Sequence, residues 1–131
     1  MRPSQPDIKW CIEHAEFVND LWEKRGRQRG DWTWNEGCDE LGLLSSVSYA
    51  DEYDVWLLTT DDVLGMLEER GVTPELLSLR LTSIGGDVIV WLATNAVLMV
   101  PNAKECHRTP LIALMELFKS IEEATDEAVQ D

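Results

Sequence analysis

The sequence predicts an α+β fold, in which a small antiparallel sheet packs against helices. Apolar residues recur every three or four positions in segments 8–25, 61–70 and 110–123, a spacing typical of helices with one buried face. Two apolar segments flank Gly85-Gly86, which predicts a β-hairpin over about 76–93. Because strands and helices do not alternate regularly along the chain, we favour α+β over a doubly wound α/β fold.

The N-terminal helix is predicted from an apolar stripe that begins just after Asp7, a residue suited to capping it. We expect the helix to end at Gly26 or Gly30. A basic run closes it, and cations are favourable at the negative end of a helix dipole, so we prefer this structural role to phosphate binding. The stripe comprises Ile8, Cys11, Ile12, Ala15, Val18 and Trp22, and the basic run comprises Lys24, Arg25, Arg27 and Arg29.

The middle of the chain begins with an alternating segment, 31–34, that predicts a strand with Trp32 and Trp34 on one face. We expect that face to pack against the core rather than to serve as a stacking platform. Residues 35–53 show no clean period, apart from a short apolar element around Leu41, Leu43 and Leu44. Segment 54–58 predicts a further strand, and the helix at 61–70 then starts with two acids and stops at Gly71.

In the C-terminal part, alternating leucines at 77, 79 and 81 predict a half-exposed strand, and 88–93 predicts its return partner. We expect a third strand at 96–100, ended by Pro101. Thr109 and Pro110 suit the N-cap and first position of the last helix. We predict one globular domain over 1–131, with a flexible segment at 1–6 and a fraying tail at 125–131.

Charge is the most informative property of the composition, at a formal net value of −14. Residues 1–30 hold six bases and five acids, so the net negative charge of the chain lies after residue 30. Such a field disfavours direct binding to nucleic acid or to an anionic membrane. It favours either simple solubility or a partner with a basic surface.

The three cysteines are scattered, and no apolar run approaches the length of a membrane helix or a secretory signal. We therefore expect reduced thiols and a cytoplasmic location.

Few residues suggest chemistry. Cys11 and His14 could bind zinc together with Cys106 and His107 if the two pairs met. A Cys–His nucleophile and base would need the same meeting and a third, orienting group, which the sequence does not place. The spacing of these cysteines and histidines matches common zinc patterns poorly, and we find no nucleotide loop or hydrolase motif. The acidic pairs are too common in this composition to indicate catalysis. We therefore expect no enzyme activity, no metal and no cofactor.

A partial resemblance covers about residues 54–120. It rests on Val55–Gly71 (VWLLTTDDVLGMLEERG), on the hairpin that follows, and on Arg108–Met115 (RTPLIALM). These segments resemble small phage and prophage proteins with an α-β-α sandwich pattern, in which similar helix starts precede and follow a hairpin. The resemblance implies an accessory protein of a mobile element.

Charge and resemblance together suggest a non-enzymatic, acidic protein-interaction module. Our hypothesis is a phage-encoded inhibitor, of the anti-CRISPR or anti-restriction type, that occupies the basic nucleic-acid-binding surface of a host protein. The alternatives are a small-ligand-binding domain, or an oligomeric structural or accessory phage protein, including a homodimer. The candidate partner-binding residues are Asp51, Glu52, Asp54, Asp61, Asp62, Glu68 and Glu69.

Overall fold

The computed structural model describes residues 3–44, 53–94 and 106–130, with only the backbone described at 83 and 124–130. Within those residues it confirms the α+β class, with four helices and two small antiparallel sheets. The chain divides into two compact units, Met1–Thr59 and Thr60–Asp131, which we call unit 1 and unit 2. The single domain expected over 1–131 stays a prediction, and the third strand expected at 96–100 lies outside the described residues.

Unit 1 begins with two helices, α1 (Gln5–Glu13) and α2 (Ala15–Arg25), so the single helix predicted over 8–25 is wrong. The break lies at His14, whose backbone has φ −116° and ψ 31°. The His14 ring stacks on Trp10 with centroids 4.0 Å apart, and its Nδ1 lies 2.8 Å from the Trp10 carbonyl oxygen. That carbonyl also accepts the His14 backbone N–H, so the side chain competes for a group that a continuous helix would use.

The ends of these helices follow local capping rules. Ser4, not Asp7, caps α1, because its Oγ accepts the Asp7 backbone N–H at 3.4 Å. The helix therefore includes Gln5 and Pro6, which we had expected in a flexible segment. Gly26 ends α2 with a φ of 93°, a conformation that favours glycine, as predicted.

A three-stranded antiparallel sheet completes unit 1, in the order β2-β1-β3. Its strands are β1 (Trp32–Asn35), β2 (Glu40–Leu43) and β3 (Asp54–Trp56). The pairs Trp34↔Leu41 and Trp34↔Val55 give the register. We predicted strands near 31–34 and 54–58, but we did not predict their pairing or β2. The connecting segment has no periodicity from which the pairing could have been inferred.

The buried side of unit 1 is built from both helices, from β3 and from the residues after it. Trp22 and Trp56 are fully buried and stack with centroids 6.3 Å apart. Asn19 of α2 contacts the β3 backbone, since its Nδ2 donates to the Asp54 carbonyl at 3.1 Å and its Oδ1 accepts from the Trp56 N–H at 3.0 Å. The buried apolar residues are Ile8, Trp10, Cys11, Val18, Leu21, Trp22, Leu44, Val55, Trp56, Leu57 and Leu58.

Unit 2 contains α3 (Thr60–Glu69), the hairpin strands β4 (Glu75–Ser83) and β5 (Gly86–Thr94), and α4 (Pro110–Gln130). These bounds confirm the predicted helix at 61–70 and hairpin at 76–93 to within a residue. Gly71 follows α3 with a φ of 72°, and the Val72 N–H closes the helix end by donating to the Leu67 carbonyl at 3.0 Å. The last helix is longer than the predicted 110–123 and continues into the segment expected to fray.

The long helix α4 supplies most of the buried apolar residues of unit 2. Thr109 caps it as predicted, with its Oγ1 accepting the Ile112 N–H at 3.1 Å. Arg70, the residue after α3, forms an ion pair with Glu122 of α4, and its guanidinium lies 4.6 Å from the centroid of the Phe118 ring. The buried apolar residues are Val63, Met66, Leu67, Ala93, Leu111, Ile112, Ala113, Leu114, Met115 and Phe118. Across the described segments of the chain, no helix has the length and apolar character required to cross a bilayer.

Candidate functional site

The seven acids that the sequence suggested as a partner-binding surface do not share one environment. Asp51 and Glu52 lie outside the described residues. Asp54 lies in β3 and is only 8% exposed, and its Oδ1 accepts the Asn35 Nδ2–H at 3.0 Å. Since this carboxylate is buried and holds two strands of unit 1 together, we leave it out of the candidate surface. The remaining four acids all lie on α3.

The exposed side of α3 carries these four acids. Asp61 and Glu68 are seven residues apart, as are Asp62 and Glu69, so each pair lies on nearly the same side of the helix. Asp61, Glu68 and Glu69 are exposed, while Asp62 is half-buried. Val63, Met66 and Leu67 are buried on the opposite side. We call Asp61, Asp62, Glu68 and Glu69 the α3 acidic face.

The α3 acidic face is poorly compensated by bases. Asp61, Glu68 and Glu69 form no ion pair with any residue that the structure describes. By contrast, Asp20 and Glu23 on α2 lie 3.0 Å and 2.8 Å from Lys24 and Arg27, respectively. The base nearest to these acids in the sequence, Arg70, follows α3 directly and pairs with Glu122 instead. The field of these carboxylates is therefore available to an external cation.

The spacing of the α3 acidic face is regular. A rise of about 1.5 Å per residue places the pair Asp61-Asp62 at the start of α3 roughly 10 Å along the helix axis from the pair Glu68-Glu69 at its end. Phosphates on one DNA strand advance about 3.4 Å each along the duplex axis, so the two pairs are about three phosphates apart. Two clusters of negative charge at this distance can engage two basic side chains of one groove.

A second acidic surface, which the sequence analysis missed, lies in the turn between β1 and β2. Its acids, Glu36, Asp39 and Glu40, are all exposed. Asn35 shapes the turn, because its Oδ1 accepts the backbone N–H groups of Gly37 and Cys38 at 2.9 Å and 3.2 Å. Asn35 and Gly37 are common turn residues, and these two residue types were the sequence signal from which the turn could have been predicted. We call Glu36, Asp39 and Glu40 the acidic turn.

The basic run at the end of α2 is engaged within unit 1. Arg25 pairs with Asp31 and lies 4.4 Å from the Trp56 ring centroid, and Arg27 pairs with Glu23 and lies 4.6 Å from that of Trp22. The Asp31 carboxylate also accepts the Trp22 Nε1–H and the Gln28 N–H, each at 2.9 Å. These contacts favour the structural interpretation of the run over phosphate binding.

The residues considered for metal or nucleophilic chemistry are divided between the two units, with Cys11 and His14 in unit 1 and Cys106 and His107 in unit 2. Burial raises the pKa of the Cys11 thiol to about 12, so this group stays protonated at neutral pH. In the described part of the chain, no three His, Cys, Asp or Glu side chains are grouped as a metal site would require.

Comparison with known proteins gave no match for this chain among family models, curated proteins or solved structures.

Proposed function

We propose that this chain is a non-enzymatic protein-interaction module whose α3 acidic face binds a basic surface of a partner protein. The observation that carries the proposal is the set of exposed acids on α3 that no described base neutralises. Their apolar neighbours on the opposite side are buried, so the carboxylates are held on a fixed helix. Fixed charges lose less conformational entropy on binding than charges on a disordered tail.

The partner chemistry follows from the sign and spacing of the charge. A groove that binds nucleic acid is lined by Lys and Arg side chains, which neutralise the phosphates and release the counterions condensed on free DNA. Carboxylates at a related spacing can occupy such a groove and exclude the phosphate backbone. The likeness to phage and prophage proteins supports the narrower version, an inhibitor of anti-CRISPR or anti-restriction type acting on a host protein.

A second candidate function is an oligomeric accessory protein. It is favoured by the hairpin of unit 2, where Val88 and Ile89 are 54% and 45% exposed and Ile84 is fully exposed. The two functions are compatible, because the apolar hairpin and the α3 acidic face involve different residues.

The decisive experiment compares two variants that each lose four acids. One combines Asp61→Asn, Asp62→Asn, Glu68→Gln and Glu69→Gln on the α3 acidic face. The control combines Glu16→Gln, Glu36→Gln, Asp39→Asn and Glu40→Gln, all in unit 1. Host proteins captured by the immobilised wild-type chain are identified and purified, and their affinities for all three chains are measured at two salt concentrations.

We expect the α3 variant to bind a captured partner roughly tenfold or more weakly, with a shallower salt dependence, while the control changes little. The wild-type chain should also displace duplex DNA from that partner. Equal losses in both variants would show that bulk charge alone drives binding. Binding that ignores salt, or that leaves DNA in place, would contradict the proposal.

A further inference from the structure

The outer edge of β4, in unit 2, has no partner strand in the part of the chain that the structure describes. Among the described residues, β4 pairs only with β5, over all nine positions from Glu75↔Thr94 to Ser83↔Gly86. The other edge of the hairpin is blocked at one position, since Trp91 of β5 exchanges two backbone hydrogen bonds with His107, at 2.7 Å and 2.6 Å. The sheet can therefore be extended along β4.

The hydrogen bonds of Trp91 also show which β4 groups face outward. In an antiparallel ladder, residues point their N–H and C=O groups alternately toward and away from the neighbouring strand. The backbone N–H and C=O of Trp91 point away from β4, so they form no hydrogen bonds with Ser78, the residue opposite. The backbone N–H and C=O of Ser78 therefore point toward the open edge of β4. The same alternation directs the backbone groups of Leu76, Arg80 and Thr82 outward.

One face of the hairpin is apolar over its three central pairs. The pairs Leu77↔Leu92, Leu79↔Val90 and Leu81↔Val88 place six aliphatic side chains on the same face. None of the six is fully buried, and exposure increases toward the turn at Ile84. A two-stranded hairpin with an apolar face is only marginally stable without further packing.

Charge favours a second copy of this chain as the occupant of that edge. Between Glu75 and Thr94 there are two acids and one base, whereas unit 2 as a whole holds thirteen acids and five bases. Two identical acidic chains repel least where their nearly neutral hairpins meet. The strand is also self-complementary, because a two-fold axis at Leu79 pairs its nine residues over their full length.

We infer that β4 pairs antiparallel with β4 of a second copy, so that two hairpins form one four-stranded sheet. The two-fold axis at Leu79 places Leu77 opposite Leu81 of the partner and Ser78 opposite Arg80 of the partner. The apolar faces then join into one surface, and the outward backbone groups form about eight new hydrogen bonds. An axis at Arg80 would instead place two guanidinium groups directly opposite each other, which disfavours that register.

The test uses sedimentation equilibrium of the full chain over about 1 to 100 μM, the range in which a micromolar dimer dissociates. We expect a mass that rises from 14.9 kDa toward twice that value. Ser78 is exposed and carries the discriminating substitutions. Ser78→Glu places a carboxylate opposite the partner's Arg80 and should tighten the dimer severalfold. Ser78→Lys should weaken it by a similar factor, and Ser78→Pro should abolish it, since proline removes the outward N–H.

Circular dichroism of the three variants checks that the fold is retained, and Ser78→Thr serves as the control that keeps the dimer. Added salt should strengthen this dimer by screening the repulsion between two chains of charge −14, whereas it should weaken binding to a basic partner. The two proposals can therefore fail separately. A chain that stays monomeric, a dimer that survives Ser78→Pro, or equal effects of Ser78→Glu and Ser78→Lys would each overturn the inference. So would a monomer that binds phosphatidylcholine vesicles through the hairpin.

Discussion

Cys11 lies on the buried side of α1, 1% exposed, where the thiolate would lose its hydration. Burial is the largest cause of its raised pKa. A hydrogen bond involving the Leu58 backbone acts in the opposite direction, and the charge of Asp7 adds a smaller increase. The residue thus behaves as a small apolar side chain of the core, not as a nucleophile.

This burial predicts a loss of stability at alkaline pH. The folded thiol stays neutral up to a pKa of about 12, while the unfolded thiol ionises above its ordinary pKa of 9.0. Between these two pKa values, ionisation of the thiol stabilises only the unfolded chain. The contribution of the buried thiol to the free energy of unfolding is therefore complete below pH 9 and is lost as pH rises toward 12. The stability of the wild type relative to Cys11→Ala should be smaller at pH 10 than at pH 8, by about 1 kcal/mol. Urea unfolding of both chains measures this difference, and a constant difference would show that the thiol ionises normally in the folded state.

Single residues also explain where sequence reasoning on the N-terminal helix failed. The apolar stripe from Ile8 to Trp22 continues across His14 without interruption, so periodicity alone predicts one helix. The break depends on a contact between the His14 ring and the Trp10 carbonyl, which the spacing does not reveal. Similarly, Ser4 and Asp7 are both good caps, and only the backbone geometry decides between them.

At the scale of elements, α3 is the region where sequence and structure agree most closely. The start near Thr60, the stop at Gly71 and the separation of acidic and apolar sides all follow from residue types at helical spacing. The face that the acids occupy was therefore predictable, whereas the lack of ion pairs from Asp61, Glu68 and Glu69 to any described base was not. Arg70 is next to these acids in the sequence but pairs with Glu122, which is 52 positions away.

Two glycines at α3 predict substitutions of opposite sign. Gly65 lies inside the helix with open space around the position of a Cβ atom, so Gly65→Ala should stabilise the chain by about 0.5–1 kcal/mol. Gly71 also has open space but adopts a φ of +72°, so Gly71→Ala should destabilise it by about 1 kcal/mol. Urea unfolding of both variants tests this pair. Stabilisation by Gly71→Ala would mean that the helix end adopts a different conformation in solution.

At the scale of the whole molecule, both units carry an excess of acid. Unit 1 has twelve acids and six bases, and unit 2 has thirteen acids and five bases. The sequence alone establishes this imbalance and the α+β class. The three-stranded sheet of unit 1 was not predictable, because β1 and β3 are joined by a long segment without periodicity and their pairing is a non-local contact.

The charge imbalance predicts that salt stabilises the folded chain. Repulsion among like charges is greatest in the compact state, and the screening length shortens from about 30 Å at 0.01 M salt to about 10 Å at 0.1 M. The urea midpoint of the wild type should therefore rise over this range of sodium chloride. The variant lacking the α3 acidic face should show a smaller rise. A midpoint that falls with salt would mean that ion pairs such as Arg25–Asp31 outweigh the repulsion.

Asn19 has a consequence for how unit 1 can change over evolution. Its amide group bonds both a C=O and an N–H of β3, so one side chain stands where the backbone of another strand would otherwise lie. A side chain of α2 thus caps the outer edge of β3, so the Asp54 C=O and the Trp56 N–H are not available to pair with a strand of another chain. The same amide fixes the rotation of α2 against the sheet. Any insertion in α2 that turned Asn19 away would both expose the edge and release the helix, so this position should tolerate change less than its half-buried, polar character suggests.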